Sequence, residues 1–361
     1  EMNPEDFYAD DEMVITISHL GYIKRTALSE FRTQSRGGVG SKGSDSRDED
    51  FIEYIYQASM HNTMMFFTQK GRCYWLKVFQ IPEGAKNAKG RAIQNLLNID
   101  ADDKVNAFIT TKQLNDEEFV KSHYLVFATK QGVIKKTSLE AYSRPRQNGV
   151  NAISINEDDQ VIEVLLTSGN DEILMANRNG RAIRFNEQKV RAMGRTATGV
   201  RGMTLDEDDP TDEIVGMINV SPDSKDNILV VSELGYGKRS DLEDYRITNR
   251  GGKGVKTINI TEKTGKLVAI KNVNDDNDLM IINKSGVTIR TKVNQIRLAG
   301  RATQGVKIIN LREGDVIASV MAVPVSEEEE IDATAVVEGG AEGTTEPNAE
   351  PTVQTEEQSA E

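Results

Sequence analysis

The sequence predicts an all-β fold in which six related units, each of four short strands, are arranged radially as blades. Three observations predict it. The chain lies over itself at a period of about fifty residues, and every register opens with a short apolar run ending in Ser, Thr or Asn, with Gly three positions on. A second glycine follows at a near-constant distance, with a cation shortly before it. Apolar and β-branched runs are punctuated by Gly, Asn and Asp, and helical periodicity is almost absent.

The opening turns are Ser18-His19-Leu20-Gly21, Thr68-Gln69-Lys70-Gly71, Thr129-Lys130-Gln131-Gly132, Asn177-Arg178-Asn179-Gly180, Ser232-Glu233-Leu234-Gly235 and Asn283-Lys284-Ser285-Gly286. Glycine between two strand-like runs signals a hairpin, and Asn179-Gly180 is its strongest form. The strand leaving each turn carries cations: Lys24-Arg25, Lys135-Lys136, Arg184, Lys238-Arg239 and Arg290, with Lys77 displaced in the second unit. The second glycines are Gly40, Gly90, Gly149, Gly199, Gly254 and Gly305, 19 residues after the first in five units and 17 in the third. Arg36, Lys86, Arg195, Arg250 and Arg301 stand four residues before it, and Arg146 three before in the shorter loop. A third strand then runs from Val150 to Ile155, Val200 to Leu205, Val255 to Ile260 and Val306 to Leu311. An acidic turn such as 157–159 or 206–209 leads into a fourth, as at 161–166 and 316–321. A stack of β-sandwiches has no reason to repeat loop chemistry at a constant spacing, so blades are the reading that accounts for it.

The 361 residues carry a net charge of −13, which at first argues against an anionic partner. From Glu327 to the end there are 12 acids and no Lys or Arg, so the remainder stands at −1 with all 44 cations. That acidic tail, poor in aromatics, is expected to be disordered. The expected division is a linker over 1–12, blades over 13–325 and the tail over 326–361. No secretory signal or apolar spanning run is present, the opening Glu1-Met2-Asn3 reads as a cut from a longer protein, and the lone Cys73 suits a reducing cytoplasm.

The stretch Gln34-Ser35-Arg36-Gly37-Gly38-Val39-Gly40, with Lys42 just after, joins glycines to positive charge and reads as a loop that brings backbone N–H groups to a phosphate. On a disc of blades the equivalent loops share one rim. Arg36, Lys86, Arg146, Arg195, Arg250 and Arg301 would then step around it, joined by Lys89, Arg91, Arg144, Arg191, Arg201, Lys253, Lys256 and Lys307. Duplex DNA carries a charge about every 1.7 Å of its axis, so a curved positive track meets many phosphates at once. The chain offers no recognition helix and no stacking aromatic series, so contact with the backbone and little sequence preference are expected. Tyr22, Trp75, Phe185 and Tyr236, which follow turn glycines, read as packing between blades. His19, His61 and His123 are scattered, no nucleophile–base grouping recurs and no P-loop appears, so neither a catalytic set nor a metal site is expected.

These residues resemble the C-terminal domain of the gyrase A protein of bacterial DNA gyrase, from Ile15 through six repeats to the tail. That family carries a seven-residue box, Gln-Arg-Arg-Gly-Gly-(Lys/Arg)-Gly, in its first blade. Gln34, Arg36, Gly37, Gly38 and Gly40 match it, while Ser35 and Val39 replace two cations. Arg250-Gly251-Gly252-Lys253-Gly254 is nearer the box in its last five residues but stands in the fifth unit, where an ordinary blade loop is expected. The resemblance implies a six-bladed β-pinwheel, propeller-like with strands exchanged between neighbouring four-stranded blades. It further implies right-handed, positive wrapping of double-stranded DNA, presenting the transported segment so that the holoenzyme introduces negative supercoils. Catalysis by tyrosine, with ATP and Mg²⁺, would then belong to the gyrase A core and to gyrase B in an A2B2 holoenzyme, in a bacterial cytoplasm at the nucleoid. No cofactor is expected in this piece. The tail is expected to compete with DNA for the rim or to act only as a solubilising segment. The alternatives are a topoisomerase IV-like DNA-binding domain without chiral wrapping, and a protein-interaction propeller, whose usual per-blade signatures are missing.

Overall fold

The computed structural model describes residues 3–30, 50–85 and 87–324. The sequence between 31 and 49, which holds the box-like stretch and Lys42, lies outside them, as do Lys86 and the acidic tail.

Each unit begins with a hairpin. In the first, β1 (Glu12–Ser18) pairs antiparallel with β2 (Tyr22–Ala27), and β3 (Ile52–Ser59) flanks β1 on its other side. In the first five units the residue ending the opening run caps the turn with its side chain. Ser18 Oγ accepts from Tyr22 N at 3.0 Å, Thr68 Oγ1 from Arg72 N at 3.1 Å, and Asn177 Oδ1 from Arg181 N at 2.9 Å. A short side-chain acceptor is what that position requires, which is why only Ser, Thr or Asn recurs there.

The second unit contains β4 (Thr63–Thr68), β5 (Arg72–Lys77), β6 (Arg91–Ala92) and β7 (Val105–Thr111). The third contains β8 (Tyr124–Thr129), β9 (Val133–Ser138), β10 (Val150–Asn151) and β11 (Val161–Thr167). In the fourth are β12 (Glu172–Asn177), β13 (Arg181–Asn186), β14 (Val200–Arg201) and β15 (Ile214–Val220). The fifth has β16 (Asn227–Ser232), β17 (Tyr236–Asp241), β18 (Val255–Lys256) and β19 (Leu267–Val273). The sixth has β20 (Asn277–Asn283), β21 (Thr288–Lys292), β22 (Val306–Lys307) and β23 (Ile317–Pro324).

The sheets do not follow the units. Their orders are β3-β1-β2-β6, β7-β4-β5-β10, β11-β8-β9-β14, β15-β12-β13-β18 and β19-β16-β17-β22, so the outer strand of each blade comes from the next unit. Among the described residues the sixth sheet has three strands, β23-β20-β21. The third strand of each unit was expected to run six residues from the second glycine, and only two residues pair as strand. They are the part that meets the neighbouring blade's edge, after which the chain turns away. β7, β11, β15 and β19 touch in succession at the inner side of the blades. The last blade meets the first there, where Ser319 Oγ donates to Glu53 O at 3.1 Å.

The opening strands are apolar without interruption because both of their faces are covered. Alternate side chains enter different cores: Leu125 and Phe127 pack with Met65 and Phe67 of the blade before, whereas Val126 and Ala128 pack with Ile173 and Met175 of the blade after. Leu174 and Ala176 in turn join Ile228 and Val230. The core is therefore a series of layers between consecutive blades, and the described blades share their apolar surface with their neighbours. Phe185 is fully buried in one such layer, and Trp75 donates Nε1–H to Tyr142 O at 3.0 Å across another.

The second glycine makes the strand exchange possible. At Gly254 φ is +72°, and a Cβ there would stand 2.3 Å from Ala182 O of the strand it crosses. Gly90, Gly199 and Gly305 meet the carbonyls of Ile23, Ile134 and Gly237 at 2.4–2.6 Å in the same way. In these described loops the glycine answers to a neighbouring strand.

Most of the cations after the hairpin turn are also internal, though Arg290 is exposed. Lys24, Lys135 and Lys238 are at most 5% exposed, and each reaches the backbone oxygens of a neighbouring loop. Lys24 Nζ donates to Ala85 O at 3.0 Å and Ala88 O at 2.6 Å; Lys238 Nζ donates to Gly300 O at 2.7 Å, Thr303 O at 2.8 Å and Arg301 O. Lys135 Nζ donates to the carbonyls of Ala152 and Arg195. One residue further on, Arg25 reaches Ile81 O, Lys136 pairs with buried Glu187 at 3.1 Å, and Arg184 pairs with Glu172 at 2.6 Å. These cations are neither solvated nor offered to a ligand, because they tie loops to blades.

Two outcomes are expected. Gly254→Ala strains a left-handed backbone, at a cost of roughly 1–3 kcal/mol, and forces a clash with Ala182 O. The urea unfolding midpoint should fall accordingly, and an unchanged midpoint would refute the crossing argument. Burial and the charge of Arg195 pull Lys135 down to about 7, and burial and Arg301 pull Lys238 to about 8, against an ordinary value of 10.5. The folded state thus releases these protons at lower pH than the unfolded chain, so their contribution to stability rises with pH from about 7 towards 10.5 and is flat below. Unfolding free energies across pH 7–9 should rise more steeply in the wild type than in Lys135→Met with Lys238→Met; equal slopes would contradict it.

Candidate nucleic-acid interface

The loops preceding the second glycines lie along the outer side of the preceding blade. Short parallel bridges hold them there: Lys136 with Ala192, Arg184 with Ile247, and Arg239 with Leu298. The loop, the two-residue strand and the glycine between them thus form one repeated outer edge, and those predicted cations that fall among the described residues belong to it.

The edge sorts them into two layers. Arg195, Arg250 and Arg301 are half-buried, and their guanidiniums link one loop to the next. Arg195 Nη1 donates to Asn151 O at 2.8 Å, Arg250 Nη1 to Arg201 O at 3.0 Å, and Arg301 Nη1 to Lys256 O. Arg250 Nε also reaches Lys189 O at 3.2 Å, and Arg301 Nε reaches Asp244 O at 3.1 Å. The acceptors Asn151, Arg201 and Lys256 all stand two residues after a second glycine. The repeated register of these arginines, read from the sequence as a phosphate-facing pattern, therefore has a structural cause: each one bridges consecutive loops.

The outer layer is exposed. Lys89, Arg91, Arg144, Arg146, Arg191, Arg201, Lys253, Lys256 and Lys307 all project to solvent from the loops or the two-residue strands. Lys89 Nζ also lies 4.1 Å from the centre of the Tyr22 ring. Arg201, Lys256 and Lys307 occupy one repeated position, with the backbone held in a sheet edge, so their ammonium and guanidinium groups are carried outward on rigid supports. Gln34, Arg36, Gly37, Gly38, Gly40, Lys42 and Lys86 lie outside the described residues. The sequence reading missed Arg246 and Arg297, which are exposed on the same edge. Both stand eight residues before a second glycine, as Arg191 does, and that register recovers them.

The acidic turns are held by local hydrogen bonds, although Asp159 Oδ2 has no hydrogen-bond partner among the described residues. Asp209 accepts from Thr211 Oγ1 at 2.6 Å, from Asn179 Nδ2 at 3.0 Å and from Thr211 N at 2.9 Å, and these bonds lower its carboxyl to about 2. Asp159 accepts from Gln131 N and Gln160 N, both at 2.9 Å. Among the described residues no group of three His, Cys, Asp or Glu is placed to hold a metal ion, and no helix is long and apolar enough to cross a membrane. An edge of fixed backbone with projecting Lys and Arg is suited to a repeating anion.

Comparison with known proteins gives the same fold and a family. The model of the DNA gyrase C-terminal domain, beta-propeller, matches residues 12–59, 62–112, 123–168, 171–221, 226–274 and 277–324, one segment per unit. The chain is 43% identical over 344 residues to the DNA gyrase A protein of Staphylococcus aureus strain MRSA252, covering 95% of this chain and 38% of that protein. It is likewise 43% identical over 323 residues to the DNA gyrase A protein of Staphylococcus epidermidis ATCC 12228, covering 90% and 35%. The chain thus spans little more than a third of the curated relatives it matches. Its fold is similar to the crystal structure of a DNA topoisomerase IV C-terminal domain (TM-score 0.70, 25% identity, 92% of this chain and 99% of that one). It is also similar to the structure of a DNA gyrase A C-terminal domain (TM-score 0.71, 24% identity, 86% and 99%). With all six units matched in order, the chain belongs to the family of DNA gyrase C-terminal β-propeller domains.

Proposed function

We propose that this chain binds double-stranded DNA along its outer edge without sequence preference and wraps it in a right-handed, positive sense. The observation that carries the reading is the recurrence of exposed cations on loops locked together by buried lysines and bridging arginines. A rigid curved track is what bending needs. Curving 20–30 base pairs costs on the order of 1–6 kcal/mol, and only contacts fixed before the DNA arrives offset that without a further ordering cost. The wrapped segment is presented for passage, so that an A2B2 gyrase holoenzyme, which joins this domain to the gyrase A core and to gyrase B, introduces negative supercoils. Strand cleavage by tyrosine, and the use of ATP and Mg²⁺, belong to those other parts, and the chain acts in the bacterial cytoplasm at the nucleoid. This chain itself is an accessory domain with no cofactor of its own.

A second reading is a DNA-binding domain of the topoisomerase IV kind, without chiral wrapping. It is favoured by the similarity to a topoisomerase IV domain and by Ser35 and Val39 in the box. Nicked circular DNA, incubated with the protein at low salt, sealed and resolved by linking number, separates the two. A shift to positive linking number is expected, and binding without a shift would transfer the chain to the second reading.

The tail enters the same scheme. Twelve tethered acids compete with DNA for the edge at high effective concentration. Removal of residues 327–361 should tighten binding of a random-sequence duplex several-fold at low salt and less at high salt. Equal affinities at low salt would leave the tail a solubilising role only.

A further inference from the structure

We infer that the cleft between β13 and the loop 246–254 is a seat for a tetrahedral oxyanion, a phosphate group. The inference begins with an exception in the repeat. Three residues after the turn glycine, blades one, three and five carry Lys24, Lys135 and Lys238, each of which reaches the loop of the following unit. The fourth blade carries Ile183 at that position, a shorter side chain with no donor. The second blade has Tyr74 there, its ring against Gly149 of the following loop, and the sixth has Ile289. Where Lys24, Tyr74, Lys135 and Lys238 occupy the space under the loop, the fourth blade has an open cleft of about 290 Å³.

Its lining decides what it takes. Arg246 and Lys253 border it, both exposed, together with the amide-bearing Asn249. Arg184 at its base is already paired with Glu172, so it adds no net charge. No Asp or Glu lines the cleft. Two uncompensated cations and no carboxylate exclude a metal ion or an ammonium as occupant and favour an anion. The volume is several times the roughly 30 Å³ share of a water molecule in the liquid, ample for a phosphate. Gly252 lines the cleft without a side chain, and a Cβ there would stand at van der Waals distance, 3.6 Å, from Ile183 Cδ1, so a larger side chain at this position would enter the space. Two sources supply such a group: a backbone phosphate of DNA, which makes this step of the edge an anchor, or free inorganic phosphate. The first rests on the wrapping reading and the second does not.

The test uses the full chain with tungstate as the phosphate analogue. Anomalous density is expected in the cleft within contact of Arg246 and Lys253. It should vanish in Gly252→Leu, which fills the cleft without changing charge at a position whose φ is not left-handed, and weaken in Lys253→Ala. No tungstate in the wild type, or equal density in Gly252→Leu, overturns the seat. The source is then read from duplex DNA binding against salt. Loss of about one phosphate contact in Gly252→Leu lowers the slope of log K on log salt by about 0.9 and supports a DNA phosphate. An unchanged slope with tungstate bound overturns the DNA anchor and leaves the seat to free phosphate. Failure of the wrapping reading is seen separately, as a wild-type protein that binds tungstate here and leaves linking number unmoved.

Discussion

Gly254 passes so close to the strand of the preceding blade that its α-carbon faces Ala182 O where a Cβ would stand at 2.3 Å. Three other loops make the same approach, and the rest of the molecule depends on it. The crossing delivers Val255–Lys256 to the free edge of β13, and the equivalent pairs to the other blades, so every blade with four described strands is completed by its neighbour. A propeller whose blades were each made from one unit would be held by apolar layers alone. Here main-chain hydrogen bonds cross every described junction between consecutive units as well, which ties the outer edge to the core.

Positive charge is layered on that scaffold by depth. The innermost cations, Lys135 and Lys238, have lost their hydration and receive backbone carbonyls in exchange. Burial, with a smaller contribution from Arg195 and Arg301, pushes their proton affinity down, so these two lysines hold their charge less firmly near neutral pH than exposed lysines do. Above them Arg195, Arg250 and Arg301 commit their fork of donors to consecutive loops, a use for which the planar guanidinium is suited and an ammonium is not. Only the outermost layer projects into solvent. A ligand bearing regularly spaced negative charge meets a surface whose spacing is set by the blade repeat, with little left to reorganise.

The near-neutral body and the acidic tail make a similar point about charge. Net charge over the chain describes neither part, because 12 of its acids are collected beyond residue 326. In the body many carboxylates are used locally, as Glu187 and Glu172 are against Lys136 and Arg184, or Asp209 against Thr211 and Asn179. The outer edge therefore has an excess of cations although the body as a whole has none.

The sequence by itself determined the repeat, the hairpins and the family. The Ser, Thr or Asn at each turn and the glycine at a fixed distance beyond it were legible as a pattern without the fold, whereas the carbonyl that each described second glycine admits lies on a strand of the neighbouring unit and was not. The continuous apolar runs were legible as strands too, though not why both faces are apolar. That follows from the alternation of Leu125 and Phe127 with Val126 and Ala128 into two different cores, which needs both neighbours in place. Only the tertiary structure decided which cations face outward. Lys238 and Lys256 are equally polar in sequence, but one lies under a loop and the other on an edge, and the difference arises between units roughly fifty residues apart. The same holds for Ile183: as a residue it is an ordinary core isoleucine, and the cleft beside it becomes visible only when the loop of the next unit, with Arg246 and Lys253, is placed above it. Side-chain depth in a radial repeat is fixed by the neighbouring blade, and no single unit contains that information.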